Sequence, residues 1–164
     1  MTTKARIEYV HASKYGNGAM VAEEFKTLMA ARGVDVNVRH VRDAKPKKMS
    51  PADFYLFSSP GRMGKPRGAM RRFLKRLKLA PGTKYALLVT EGAPQPDKKT
   101  GRMPTAEEMA KWQRVIPIMT DILQSKGLVK VAEGKVQVTG LKGPLEEGWK
   151  KKVEAFVAQI PSLG

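Results

Sequence analysis

Strand-like and helix-like segments alternate five times along this chain, and that alternation limits the fold more than any other feature. The apolar runs at 53–58 and 84–90 are nearly continuous, so they read as strands buried on both faces. The run at 5–11 reads as a further strand. At 34–41 the valines alternate and then lose the pattern, as in an edge strand with one open face. A fifth strand lies within 128–139, interrupted at Glu133-Gly134.

Amphipathic stretches separate these strands. The segment 17–32 carries Val21, Phe25, Leu28 and Met29 on one face and stops at Gly33. A connector at 46–51 has room for one helical turn. A helix ending near Lys78 buries Met70, Phe73, Leu74 and Leu77 and turns Arg71, Arg72, Lys75 and Arg76 to water. Thr105 and Glu108 have capping-box spacing. They open a helix that carries Met109, Trp112, Ile116, Met119 and Leu123 toward Gly127, with a kink expected at Pro117. The last helix opens at Pro144, with Glu146 and Glu147 at the positive end of its dipole. Its stripe is Leu145, Trp149, Val153, Phe156 and Ile160. Both tryptophans read as core residues. The order predicts an α/β protein: an open, mostly parallel sheet with helices on both faces. With 164 residues, 41% of them hydrophobic, one domain spanning 1–164 is expected.

The turn after the first strand, Ser13-Lys14-Tyr15-Gly16-Asn17-Gly18, leads straight into a helix. Such a turn aims backbone N–H groups and the helix dipole at one point, which suits a phosphate. Gly16 and Gly18 allow a sharp turn and close approach of an anion, and Ser13, Tyr15 and Asn17 add side-chain donors. The plainer reading is a tight strand-to-helix turn. Lys14 reads either as a solvated lysine or as a counter-charge to the phosphate.

In this setting the turn resembles the Ser/Thr-x-Thr-Gly-Asn-Thr loop of the flavodoxin family. Ser59-Pro60 through Gly64-Lys65-Pro66 is similar to that family's loop after the third strand. The resemblance spans the whole chain. It implies a flavodoxin-like three-layer sandwich with a five-stranded parallel sheet of order 2-1-3-4-5, and FMN as cofactor. It also implies that loop 13–18 holds the phosphate while loops 59–66 and 91–103 flank the ring. Ser59, Pro60, Gly61, Arg62, Met63 and Gly64 are then site residues, with Met63 covering the ring and Arg62 at its edge or at the phosphate. Glu91, Gly92 and Ala93 would offer N–H groups to the pyrimidine edge. Three features depart from the family pattern: Gly18 stands where a hydroxyl residue ends the loop, Tyr15 stands in place of a threonine, and the middle loop has no tyrosine.

The formal charge of +16 sets this chain apart from the usual acidic flavodoxin. No Asp or Glu occurs between Asp53 and Glu91, a span that holds nine Lys or Arg. That balance implies attraction to anions. An acidic redox protein is the expected partner. Nucleic acid ranks below it, because the basic residues lack interleaved aromatics for base stacking. A solubilising face is the plain alternative. The absence of cysteine excludes disulfides and thiol chemistry, and His11 and His40 stand alone, so no metal and no catalytic residues are expected. The Met-Thr-Thr-Lys start has no apolar leader, and no apolar run nears the roughly 20 residues of a membrane span, so a cytoplasmic protein is expected. The leading functional reading is an FMN-binding electron-transfer protein, a carrier more than a catalyst of its own. The alternatives are an FMN-dependent, quinone-type oxidoreductase and a flavin-free phosphate- or anion-binding module of the same fold.

Overall fold

A computed structural model describes residues 4–140 and 142–163. The elements are β1 (Arg6–His11), α1 (Asn17–Ala31), β2 (Asp35–His40), β3 (Phe54–Ser58), a short hairpin of β4 (Gly61–Arg62) and β5 (Lys65–Pro66), α2 (Gly68–Arg76), β6 (Lys84–Gly92), α3 (Ala106–Trp112), α4 (Val115–Gln124), β7 (Val129–Val138) and α5 (Trp149–Gln159). The main sheet has the order β2-β1-β3-β6-β7, and every neighbouring pair is parallel. Counting only these five strands, the order is the expected 2-1-3-4-5. Among the described residues no helix is long and apolar enough to cross a membrane.

Strand alternation divides the core into two halves. Ile7 and Tyr9 of β1, Leu56 of β3 and Leu88 of β6 face α1 and α5, where Phe25 and Phe156 pack. Val10, Phe57, Leu87 and Val89 face α2 and α4, against Phe73, Leu74 and Met119. The central strand β3 is buried at all five positions, as its continuous apolar run predicts. Glu8 points into the sheet and is 1% exposed. It accepts from both Asn37 Nδ2 and Arg6, with Arg39 beyond at 3.9 Å. A buried carboxylate is tolerable only when paired in this way.

Several boundaries differ from expectation. The helical turn lies at Val41–Asp43, ahead of the connector, where the His40 side chain accepts from Arg42 N. β7 runs unbroken through Glu133-Gly134, and its irregularity falls near Val131, where the pairing with β6 slips by one residue. Gly134 is required there for packing. A Cβ would stand 2.9 Å from the Phe156 ring and 3.2 Å from Leu88. The long helix expected from Thr105 is two helices, α3 and α4. The break comes at Gln113-Arg114, ahead of Pro117, because Arg114 N turns out to bond Gly64 O at 2.8 Å. Pro117 then lies in the first turn of α4, where its missing N–H costs little. Pro144 and Glu146 do not open the last helix. Pro144 O accepts from Thr139 N, Glu146 N donates to Gln137 O, and the Glu146 carboxylate takes Gln137 N and pairs with Lys152. Those bonds fasten the segment antiparallel to the end of β7, so α5 starts only at Trp149. The capping box of Thr105 and Glu108 forms as predicted.

The crowding at Gly134 generates a test. Gly134→Ala should destabilise the protein by about 1–3 kcal/mol, because the added methyl has no room beside a buried ring. A lowered urea midpoint with unchanged slope is the expected result, and an unchanged midpoint would mean that α5 packs differently on β7.

Candidate functional site

Parallel strands deliver all their carboxyl ends to one edge. There the loops after β1, β3, β6 and β7 surround a cleft of about 510 Å³, a size suited to a small ligand.

The β1–α1 turn forms one wall. Gly16, at φ 92, caps α1 in the left-handed region, and its N–H donates to Ser13 Oγ at 3.1 Å. The first helical bond runs from Met20 N to Gly16 O, so the N–H groups of Asn17, Gly18 and Ala19 have no intrahelical acceptor. A Cβ on Gly18 would stand 3.1 Å from Ser13 Cβ, which keeps the turn tight. Asn17 does not offer its amide donor to the cleft. Its Nδ2 donates to Lys142 O at 3.2 Å. Tyr15 stands half-exposed at the rim, with Lys14 Nζ 5.3 Å from its ring centre.

Two histidines hold this wall. In the parallel register His11 lies beside His40, and their rings meet edge to face at 5.1 Å. His11 Nδ1 accepts from Ser13 N at 3.2 Å, and His40 Nε2 bonds Ser13 O at 2.9 Å. The His40 Nδ1 accepts from Arg42 N, so His40 must donate through Nε2. Burial, then the neighbouring His40 and Arg42, push His11 down to about 4, which keeps Nδ1 free to accept. The sequence reading set each histidine alone. Only the strand register brings them together.

The opposite wall is the β3–α2 segment. Pro60, Gly61 and Arg62 line the cleft. Ser59 does not, being fully buried. Its hydroxyl donates to Pro60 O and accepts from Arg67 N, which fastens the hairpin to α2. Gly61 sits so close to α4 and β6 that a Cβ would lie 3.0 Å from Val115 and 3.1 Å from Glu91 Cγ. Met63 and Gly64 form the hairpin tip at φ 54 and φ 78 and turn away from this cleft. They line a second one of about 940 Å³ on the far side of the hairpin, together with Met103 and Trp112. Met63 is 90% exposed there and Trp112 70%, so Trp112 is a surface residue and not the core residue its helical spacing suggested. Trp149, also expected in the core, is half-buried and packs against the core's margin.

The end of β6 is the floor. Glu91 is 2% exposed and borders both clefts. Lys135 Nζ stands 3.7 Å from Glu91 Oε1, and that oxygen has no hydrogen bond among the described residues. Burial raises the carboxyl to about 7, outweighing the pull of Lys135 and of the Val115 N–H. The Ala93 N–H is not available to a ligand, since it donates to Val138 O at 2.8 Å. The Gly92 carbonyl accepts from Gln113 Nε2. Gln95, within the expected loop 91–103, also lines the cleft, and sequence reasoning missed Thr90, Arg67 and the turn at 138–140, which line it as well. The rule that every parallel strand ends on this edge could have found the last of these.

No family model matches the chain, and no curated protein matches it by sequence. Solved structures do match. A short-chain flavodoxin associated with a non-canonical PDU bacterial microcompartment is 14% identical, with a TM-score of 0.69 over 94% of this chain and 95% of that one. The two-electron reduced flavodoxin of Megasphaera elsdenii is 20% identical, with a TM-score of 0.64 over 94% and 99%. The flavodiiron core of a Synechocystis protein is 13% identical, with a TM-score of 0.65 over 95% of this chain but only 35% of its own. At these identities the likeness is one of fold, and the fold is flavodoxin-like.

The buried Glu91 yields a pH prediction. An acid whose pKa is higher folded than unfolded keeps its proton longer in the native state, so it lowers stability as pH rises from about 4.5 to about 7. His11 acts in the opposite sense between about 4 and 6.5, since its native pKa lies below its unfolded value. Comparing Glu91→Gln with the native chain separates the two. The variant's relative stability should climb across the Glu91 window and level off above it. A difference that does not change with pH would mean that Glu91 is solvated.

Proposed function

We propose that this chain binds FMN in the 510 Å³ cleft and works as a flavodoxin-type electron-transfer protein. One observation carries the reading: a turn with unbonded helix N–H groups and a slot closed by Gly61 meet at the carboxyl edge of a parallel sheet. In open parallel sheets, of which flavodoxin is itself an example, ligands sit at that edge where the strand order reverses. The donor set suits a phosphate monoester. The N–H groups of Asn17, Gly18 and Ala19 and the outward hydroxyl proton of Ser13 would hold it, with Lys14 as counter-charge. Tyr15, Pro60, Gly61, Arg62, Glu91, Gly92 and Ala93 would border the ring, while Gly16 and Ser59 shape the loops from behind. Met63 and Gly64 would form an outer shoulder.

Bound FMN supplies one- or two-electron chemistry. The chain's part is to orient it and to govern protons beside it. Glu91 suits that role, because an unbonded, buried carboxyl oxygen with a pKa near neutrality can hold or release a proton at Oε1. The reading is completed by an acidic redox protein as partner, steered by the exposed cations of and beyond α2.

The second cleft favours a further reading. Its 940 Å³ space, with Trp112 and two exposed methionines opposite Glu91, has room for a planar apolar substrate such as a quinone. Turnover of a quinone with NADPH by FMN-loaded protein would favour the oxidoreductase. Its absence alongside rapid transfer to a protein acceptor favours the carrier.

FMN added to the purified protein should give a shifted visible spectrum and saturable binding. Asn17→Asp, which sets a negative charge at the helix N-terminus, should weaken binding by about tenfold with the circular dichroism unchanged. Protein that leaves the FMN spectrum untouched would instead be the flavin-free anion module.

For the partner, electron transfer to an acidic ferredoxin should slow as salt rises, since screening shortens from about 10 Å at 0.1 M to about 3 Å at 1 M. Lys75→Glu with Lys78→Glu should slow it at low salt only. A rate indifferent to salt and to both substitutions makes this face merely solubilising.

A further inference from the structure

A third concavity, of about 520 Å³, lies on the α2 side of β1, between the Val41–Asp43 turn and the start of α2. Lys14, Arg42, Arg67, Arg72 and Arg76 line it, with His40 at its inner edge and no carboxylate among the lining residues. Of the five cations only Arg42 has an ion-pair partner among the described residues, the exposed Asp43 at 3.8 Å. Five like charges around so small a volume repel one another, and the neighbouring groups make this worse. α2 has no acid in its first turn and no side-chain cap, and its cap residue is Arg67. The Arg72 guanidinium folds back over that same end, 3.2 Å from where a Cβ on Gly68 would stand. The positive pole of a helix is thus met by more positive charge.

We infer that this cleft is a second anion site, distinct from the α1 turn, that takes a small phosphate-bearing molecule of several negative charges, of the nucleoside polyphosphate class. The arginines present forks that match phosphate oxygens in pairs. Arg67 is already fixed for this, with Nη1 bonded to Ala12 O at 2.9 Å and its N–H held by Ser59 Oγ. The floor carries the apolar side chains of Val41 and Phe73, which suit a base or other flat body beside the phosphates. Ser13, Lys14 and Arg67 border both this cleft and the first, so the two ligands would lie on either side of the end of β1 with these three residues between them. His40, bonded at both nitrogens, holds the dividing backbone in place.

The test uses isotope-labelled protein and inorganic triphosphate at low salt, followed residue by residue by NMR. Because neither probe nor readout involves FMN, the result is independent of the cofactor reading. The expected outcome is one-to-one binding with shifts at Arg42, Ala69, Arg72 and Phe73. Arg72→Gln with Arg76→Gln should weaken it about tenfold, while Lys26→Gln with Lys151→Gln, an equal loss of charge on the opposite face, should change it less than about twofold. Shifts confined to residues 13–19 would assign the anion to the α1 turn alone and overturn the proposal. So would equal weakening in the two double variants, which marks mere net charge. Binding of a single-stranded oligonucleotide or polyglutamate where triphosphate does not bind would overturn it as well, and assign the face to a macromolecule.

Discussion

The register of β1 between β2 and β3 is the constraint on which the rest depends. His11 falls opposite His40 on one side and Ser58 on the other. From that alignment follow the two bonds that fix Ser13, the Ala12 N–H to Ser58 O bond that ties the end of β1 to the end of β3, and the Arg67 Nη1 bond to Ala12 O. A slip of one residue would turn Ile7 and Tyr9 out of the α1 core and drive Glu8 into it. The buried Glu8 resists such a slip, because its partners Asn37 and Arg39 stand at fixed places on β2. The edge that gathers the loops is therefore as well determined as the core beneath it.

Electrostatics divides the molecule in two. Inside, Glu8 is paired and His11 is neutral near physiological pH, while Glu91, with an unbonded oxygen and a pKa of about 7, lies between those two cases. The whole chain sets 31 Lys and Arg against 15 Asp and Glu, of which Glu8 and Glu91 are buried, so at least half of the cations lack an acid in the same chain. Such a surface costs stability through self-repulsion. Five of these cations gather around the start of α2, where the helix dipole makes the cost greater, and that placement is the ground for the anion site proposed above.

Much of this was legible in the sequence. The runs 53–58 and 84–90 are apolar between polar ends, Asp53 and Ser58 in one and Lys84 and Thr90 in the other, and became the central strands, and the capping box at Thr105 and Glu108 formed as spaced. The sharp strand-to-helix turn at 13–18 was readable because it is local. What escaped was set by distant partners. The β4–β5 hairpin consists of strands of two residues, too short for any periodicity. The end of α3 depends on Gly64, and the late start of α5 on Gln137 and Thr139. Trp112 kept a helical spacing that means burial only while the helix continues, and the helix stops there. The pairing of His11 with His40 could not be seen without the register.

The hairpin and the α3–α4 break interlock. A Cβ at Gly64 would stand 1.9 Å from Trp112 O, and Arg114 N bonds Gly64 O from the other side. Neither segment can change shape alone. Evolution, or an engineer transplanting a longer ring-covering loop from another flavodoxin-like chain, has to exchange residues 61–66 and 112–114 together, as one cassette split in sequence and joined in space. A graft of the first segment alone would meet an intact α3 terminus and be expelled from the sheet edge, and Trp112 would lose the backbone against which it stands.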